Sequence, residues 1–310
     1  ISMTVDDPAT VELGRFFLGN SLHFTGDLVK ARIELEAAAR SEPRSQRTPA
    51  SYVGFEGRHL AGGILARNLW LQGYPEQADL RARQAISDAA KLDHSLTLCI
   101  ALLGGIAVFL WRDDLPSAEE HIEWLISRAG LHFLSPYVSV AQGFRGEVAI
   151  RRGDVKAGIE TLRRCIDKLH SATYEVFTTM LEISLVNGLV AIGEFGEGMD
   201  RINRTIERVE NNGDLCYLPE LLRVKARLLS STGASDEDVE AFLKLAIGES
   251  AKMGARSWEL RSATDLSALW IGDGRLREAR ELLKPIFERF DESSDTTDVR
   301  AARVLLEGLL

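Results

Sequence analysis

Three arginines have the spacing of an anion-binding fork. Arg223 and Arg227 are four residues apart and would project from one face of a helix, one turn from each other. Arg261 falls in the next repeat of the pattern described below. Guanidinium groups bind carboxylates through paired N–H donors, so the three side chains could clamp a carboxylate or an acidic peptide. The alternative is that they pair with acids such as Glu220 and Glu259 on a solvated surface.

Motifs of catalytic and nucleotide-binding chemistry are missing from the sequence. It contains no G-x-x-x-x-G-K-[ST], H-E-x-x-H, G-x-S-x-G or EF-hand loop. The glycines of segment 193–198 resemble a nucleotide loop superficially, but they fall between two predicted helices rather than after a strand. We therefore predict a chain that is not an enzyme and that binds no cofactor.

Histidine and cysteine positions do not predict a metal site. The 6 histidines are scattered, and no two have a spacing suited to one ion. Cys99, Cys165 and Cys216 are far apart and form no C-x-x-C, so neither a disulfide framework nor a zinc site is indicated. The acids of segment 236–238 fit the first turn of a helix capped by Ser235 better than a metal site.

Composition and charge narrow the class of partner. The net charge of -9 disfavours direct nucleic-acid binding, which usually needs a basic face. The longest uncharged apolar run, 98–111, is too short to span a bilayer of about 30 Å. No secretion signal is present, so we predict a cytoplasmic protein without a membrane segment. The first residue is Ile1 rather than methionine, which suggests a piece of a longer chain.

A turn residue followed five positions later by a small residue recurs along the chain. The pairs are Gly26/Ala31, Gly73/Ala78, Asp113/Ala118, Gly153/Gly158, Gly193/Gly198, Gly274/Ala279 and, with a three-residue insertion, Gly233/Ala241. Successive small residues are 47, 40, 40, 40, 43 and 38 apart. A fixed period of this size indicates a stacked array of helical pairs. The longer first spacing is explained by a predicted loop from Ser41 to Gly57.

This sequence pattern resembles the tetratricopeptide repeat, in which a Leu-Gly on the first helix precedes a turn glycine and an alanine on the second helix. Leu18-Gly19, Gly26 and Ala31 match it, although the period is nearer 40 than the usual 34 or so. The resemblance implies an all-α, right-handed α-solenoid of about seven helical pairs plus a C-terminal capping helix. We predict one repeat domain, 1–310, with units at about 9–40, 58–92, 96–129, 136–170, 174–211, 217–253 and 257–290 and the capping helix at 296–309.

Two stretches carry a closer resemblance. The segment 69–86, LWLQGYPEQADLRARQAI, and the segments 255–263, 282–287 and 295–298 are similar to the C-terminal repeat region of bacterial predicted ATPases. In that family an AAA-like or STAND-like ATPase module follows a winged-helix DNA-binding domain or a class III adenylate cyclase domain. Neither module lies in this sequence, so ATP hydrolysis, DNA binding or cyclase activity would belong to another part of the protein.

The tetratricopeptide resemblance also implies a ligand site, because first helices line the concave surface of such arrays. Counting back from each turn places the following residues on or near the groove: Asn20, His23, Arg67, Trp70, Trp111, Glu147, Arg151, Asn187, Arg223, Arg227 and Arg261. We expect a regulatory or sensor region of a signalling ATPase, most simply a transcriptional regulator. Its partner would be a protein, its own N-terminal ATPase module, a small molecule or an acidic peptide. The alternatives are a passive scaffold, which could form a homo-oligomer, and the regulatory region of an adenylate cyclase.

Overall fold

The computed structural model describes residues 8–40, 57–92, 94–290 and 295–309, which form helices joined by short turns. The first eight helices are α1 (Pro8–Phe24), α2 (Leu28–Ala39), α3 (Gly57–Leu71), α4 (Pro75–Ala90), α5 (Ser95–Trp111), α6 (Leu115–Leu131), α7 (Ser135–Arg151) and α8 (Val155–Ser171). The other seven are α9 (Thr178–Ile192), α10 (Phe195–Asn212), α11 (Leu218–Ser231), α12 (Asp236–Met253), α13 (Arg256–Gly272), α14 (Leu276–Phe287) and α15 (Thr297–Glu307). These ranges contain no β-strand, and the predicted all-α class is confirmed.

The chain divides into two compact units. Unit 1 comprises the described residues within Ile1–Trp70 and Tyr74–Ala141, and unit 2 comprises those within Leu71–Gly73 and Gln142–Leu310. Unit 1 thus contains α1, α2, α4, α5, α6 and nearly all of α3, and unit 2 contains α8 to α15, while α7 belongs to unit 1 up to Ala141 and to unit 2 from Gln142. The single repeat domain and its unit boundaries stay a prediction.

Left-handed residues end the helices at two series of turns. Between the two helices of each pair, the predicted turn residues have positive φ, from 64° at Asp113 to 95° at Gly153. Between pairs, a second series has φ of 56° at Phe133, 51° at Thr173, 80° at Gly213 and 71° at Gly254. Backbone hydrogen bonds that close the last helical turn accompany this conformation. The turn prediction is confirmed, and the second series was not anticipated.

Small residues allow close approach between helices, as the repeat pattern predicts. A Cβ placed on Gly158 of α8 would lie 2.6 Å from the carbonyl oxygen of Gly146 on α7. In unit 1, two glycines outside that pattern also meet, since a Cβ on Gly104 of α5 would lie 2.9 Å from the Cα of Gly63 on α3. Side chains at these positions would push the helix axes apart, because backbone cannot yield as a flexible side chain can.

In the sixth helical pair, the buried position after the turn differs from the predicted one. Ala241 is exposed, whereas Val239 is buried at the position that the small residue holds in other pairs. The helix after Gly233 begins three residues later, at Asp236, whereas α10 begins two residues after Gly193. One residue is therefore inserted here rather than three. The predicted cap is present, since the Ser235 Oγ accepts from the Asp238 N–H at 3.2 Å.

Burial in an apolar core accounts for the apolar sequence of α5 and for the position of the C-terminal helix α15. Nearly every residue of α5 from Thr97 to Trp111 is buried, which accounts for its uninterrupted apolar sequence. Among the described residues, no helix is both long and apolar enough to cross a membrane.

In unit 2, Val299 and Ala302 of α15 join a core with Leu260 and Leu283. The predicted loop 41–57 lies outside the described residues except for Gly57, which begins α3.

Candidate partner-binding cleft in unit 2

The eleven residues predicted to line a groove fall into four groups and one half-buried residue, Asn20. The groups are His23 with Arg67, Trp70 and Trp111; Glu147 with Arg151; Arg223 with Arg261; and Asn187 with Arg227. The first group lies in unit 1, and the other three lie in unit 2.

The unit 1 group is a buried cluster of rings around a guanidinium. His23 and Arg67 have no exposed surface, and Trp70 and Trp111 are buried. The Arg67 Cζ lies 5.5 Å from the ring centroid of Phe24 and 5.6 Å from that of Trp111. The rings of Trp70 and Trp111 are 4.8 Å apart. These side chains form part of the core of unit 1, because the rings pack on the cation and on each other instead of facing water.

His23 is held neutral by its surroundings. Burial lowers its pKa well below the ordinary value, and the charge of Arg67 lowers it further. Neither ring nitrogen of His23 has a hydrogen-bond partner within the described part of the chain, and the same holds for both amide atoms of buried Asn68. Such groups destabilise the folded state, because they give up their hydrogen bonds to water and gain none.

In unit 2, Glu147 joins α7 to α9. It is buried, and Arg151 donates to it from one turn along the same helix. The Ser184 Oγ of α9 donates to the Glu147 Oε2 at 2.7 Å. Glu147 and Arg151, which the sequence predicts as groove residues, therefore bind each other, and Ser184 extends the contact to the next first helix.

Arg223 is committed to two acids. Its Nε and Nη2 donate to the two carboxylate oxygens of Glu220 at 2.8 and 2.7 Å. Its Nη1 donates to the Asp265 Oδ2 of α13 at 2.7 Å. The whole residue is only 8% exposed, so this guanidinium has little surface left for a ligand.

Arg261 is bound to the same network. Its Nη1 donates to the Glu220 Oε1 at 3.3 Å, and its Nε donates to the Asp298 Oδ2 at 2.8 Å. Burial alone would raise the pKa of Glu220, but the charge and hydrogen bonds of Arg223, followed by the charge of Arg261, hold it below the ordinary value. Of the two interpretations of these arginines, pairing with Glu220 describes Arg223 and Arg261.

The structure departs in two details from the interpretation that the three arginines pair with acids. Glu259 pairs with Arg289, whose Nη2 lies 2.7 Å from its Oε2, instead of with one of the three predicted arginines. Arg227 is exposed, and its Nη1 donates to the Asn187 Oδ1 at 3.3 Å. Asn187 and Arg227 are 40 residues apart, one repeat period, and occupy the same position in successive first helices.

Arg227 stands at the edge of a cleft of about 330 Å³ formed by α9, α11, α12 and α13. The residues that line it are Val190, Ala226, Arg227, Ser230, Ser231, Val239, Leu243, Asp265, Ala268 and Leu269. Ala226, Val239 and Leu243 are buried and give the cleft an apolar base, whereas Arg227 and Ala268 are exposed. The volume is at the lower end of that of small-molecule sites.

The cleft combines an apolar base with one accessible cation. An apolar side chain could displace water from the base, while an anionic group pairs with Arg227 through its forked N–H donors. The carboxylate of Asp265 is occupied by Arg223. The arrangement is suited to binding. Among the described residues, no group of three or more His, Cys, Asp or Glu could hold a metal ion.

Sequence reasoning missed Asp265 and the apolar base. A spacing near one period could have indicated Asp265, because it lies 42 residues after its partner Arg223. Glu220 and Arg261 are likewise 41 apart. Opposite charges separated by about one period on first helices therefore predict contacts between successive pairs. The apolar base had no such indication, because its residues come from several helices.

No family model matches the chain. Protein R02095 of Rhizobium meliloti (strain 1021), which is described as uncharacterized, is 23% identical over 255 residues, covering 81% of this chain and 24% of that protein. The chain therefore spans about a quarter of the length of that relative.

Solved structures are similar in fold. A Rap protein complexed with competence and sporulation factor has a TM-score of 0.64 at 12% identity, over 98% of this chain and 78% of that one. The apo form of RapI has a TM-score of 0.55 at 10% identity, over 96% and 99%. The fold is tetratricopeptide-like. This finding confirms the predicted repeat class and extends no further than the fold.

Proposed function

We propose that this chain is a non-catalytic interaction region whose unit 2 cleft binds a segment of a protein partner or a small effector. The cleft itself carries the proposal: Arg227 is exposed beside the apolar residues Val239 and Leu243. In contrast to that of Arg223, its guanidinium donates no bond to an acid in the described part of the chain and one, at 3.3 Å, to the amide oxygen of Asn187. A Rap protein of similar fold was solved with a bound factor, which supports the use of such a fold for binding.

Within a longer protein, the region would act as the sensor of a bacterial signalling ATPase, most simply a transcriptional regulator in the cytoplasm. The similarity of segments 69–86 and 255–263 to the repeat region of such ATPases supports this role. The relative, of which the chain covers 24%, is an example of such a region within a longer protein. Occupation of the cleft would favour one arrangement of α11, α12 and α13, and so alter contacts with an ATPase module. Such a shift requires a ligand that binds two arrangements with different affinities.

A thermal-shift panel of metabolites and acidic peptides tests the proposal. A ligand that binds only the folded chain raises the unfolding midpoint saturably. We expect this rise to be lost in Arg227→Glu, which reverses the charge, and in Ala268→Trp, which fills the cleft from an exposed position. Arg277→Glu is the matched control, because Arg277 is an arginine of unit 2 with a side chain that is 87% exposed.

The outcomes separate the alternatives. A ligand that binds both cleft variants as tightly as wild type contradicts the cleft as its site. If no compound shifts the midpoint while the chain still binds an ATPase module, the region is a passive scaffold. Arg223 is unsuitable for this test, because substitution would leave the buried Glu220 without its main partner.

A further inference from the structure

One turn of unit 1 carries an aromatic residue in a conformation that disfavours it. Phe133 follows the end of α6 and has φ of 56°, in the left-handed region. Its N–H donates to the Gly130 carbonyl at 3.3 Å, and the Leu134 N–H donates to the Ala129 carbonyl at 2.9 Å. These two bonds define the helix end in which glycine is the usual residue at the Phe133 position.

Later repeats show what this position ordinarily holds. The equivalent residues are Thr173, Gly213 and Gly254, which follow the ends of α8, α10 and α12 with φ of 51°, 80° and 71°. Two of the three are glycine. The hydroxyl of Thr173 donates to the carbonyl of its neighbour Ala172 at 2.8 Å, a local bond that phenylalanine cannot make. A residue with a Cβ is unfavourable here, and a bulky apolar one more so.

Packing does not compensate for this conformation. Phe133 is 93% exposed, and nearby Leu131 is 71% exposed. A large apolar side chain that stays in water contributes no burial to stability. Neither local conformation nor packing therefore explains a phenylalanine at this turn. Residues held in strained backbone cluster at functional sites, so this turn is a candidate for a binding role.

The sequence on both sides of this turn lacks charged residues, and this indicates the kind of partner. The sequence contains no Asp, Glu, Lys or Arg between Arg128 and Arg145. A surface that binds anionic membrane needs lysine or arginine beside its apolar residues, and the net charge of the chain is -9. An uncharged apolar pocket of a protein fits this tip better, because aromatic anchors that fill such pockets dominate many interfaces.

We propose that Leu131 and Phe133 form a docking tip that inserts into an uncharged, apolar pocket of a partner protein. The tip is in unit 1, and its role is independent of the cleft in unit 2. The partner provides the burial that the tip lacks in this chain.

Stability gives the first test. Phe133→Asn and Phe133→Gly suit the left-handed conformation and remove no buried contact, so we expect the unfolding midpoint to stay equal or rise by about 1–2 °C. Leu80→Asn is the matched control, since Leu80 is 70% exposed on a helix and asparagine is a poorer helix former. A clear fall of the midpoint for both Phe133 variants would show that Phe133 stabilises the fold, and it would overturn the proposal.

Site-specific photocrosslinking gives the second test. The full-length protein is produced in its own cells with p-benzoylphenylalanine at position 133 or, as the control, at position 80. A partner captured only from position 133 is purified, and its affinity is measured for wild type, Phe133→Ala, Phe133→Trp and Leu80→Ala. We expect Phe133→Ala to weaken binding by about tenfold or more, Phe133→Trp to restore much of it, and Leu80→Ala to have no effect.

The other outcomes contradict the proposal. Equal binding by Phe133→Ala would show that the tip is no anchor. Crosslinks only to a second copy of this chain would indicate self-association instead of a partner protein. Retention of wild type, but not of Phe133→Ala, on vesicles containing phosphatidylglycerol would indicate a membrane. The absence of any product specific to position 133 would also overturn the proposal.

Discussion

Arg261 on α13 donates to Glu220 on α11 at 3.3 Å, so two residues 41 apart in sequence meet across one repeat. Glu220 also accepts two bonds from Arg223, and Asp298 accepts from the other side of Arg261. The network joins α11, α13 and α15 through buried or half-buried charges. Arginines that suggest a ligand clamp in the sequence thus connect successive helical pairs.

Removal of the shared acid tests this network. We expect Glu220→Ala to reduce the free energy of unfolding by about 3 kcal/mol, because the buried guanidinium of Arg223 would lose two of its three hydrogen bonds to acids and Arg261 would lose one. Glu281→Ala is the control, since Glu281 is 69% exposed and lies 3.8 Å from Arg277; we expect it to cost less than about 0.5 kcal/mol. Urea denaturation measures both. Equal midpoints for the two variants would contradict the network's role in stability.

Two glycines in unit 2 should respond to alanine in opposite directions. We expect Gly158→Ala to destabilise by about 1–3 kcal/mol, because its Cβ would lie 2.6 Å from the backbone oxygen of Gly146. Gly248 lies inside α12, and a Cβ added there would meet nothing within 4 Å, so Gly248→Ala should stabilise by about 0.5–1 kcal/mol. Denaturant midpoints compare them. A Gly158→Ala variant as stable as wild type would mean that α7 and α8 separate at little cost.

His23 predicts a loss of stability below neutral pH. Its pKa is lowered in the folded state, so below its ordinary value of 6.5 the unfolded chain binds a proton that the folded chain rejects. Stability from this group is complete above about pH 6.5 and falls with acid by up to about 1.4 kcal/mol per pH unit. His23→Phe should remove this part of the slope between pH 6.5 and 5. Unfolding midpoints across that range provide the test, and an unchanged slope in the variant would refute the assignment.

The lowered pKa of Glu240 predicts a second loss of stability, at more acidic pH. Hydrogen bonds from Arg275, and then from Lys244 and Trp270, lower its pKa to about 2. The folded state therefore holds its proton less tightly than the unfolded state, whose pKa is near 4.5. The stabilisation is present above pH 4.5 and is lost as pH falls toward 2. Glu240→Gln should flatten the stability profile in this window, whereas the slope near pH 6 should not change.

Repeat position, more than residue type, allowed prediction of the fold. The turn at Asp113 is predicted without a glycine, from its place in the period alone, and the structure adds that its φ is 64°. The same reasoning failed for the sixth pair. There, Ala241 has the expected residue type, but Val239 is the buried residue. A short insertion changes which residues face inward, and spacing alone does not show its length.

The candidate site was less predictable. Arg223, Arg227 and Arg261 are alike in sequence, yet two of them are bound to acids and only Arg227 faces the cleft. The difference lies in partners such as Asp265 and Asp298, which come from helices later in the chain. Phe133 shows the same limitation, because its exposure depends on what packs near the turn.

Residue order was enough to predict the helical pairs, the turns near every fortieth residue and the small residues that allow close approach, because these depend on local conformation and periodic burial. The packed helices were needed to learn which charges are neutralised, which rings are buried and where the cleft opens. Those properties depend on atoms that are about one period or more apart in the chain. Their distances are fixed only when the helices pack.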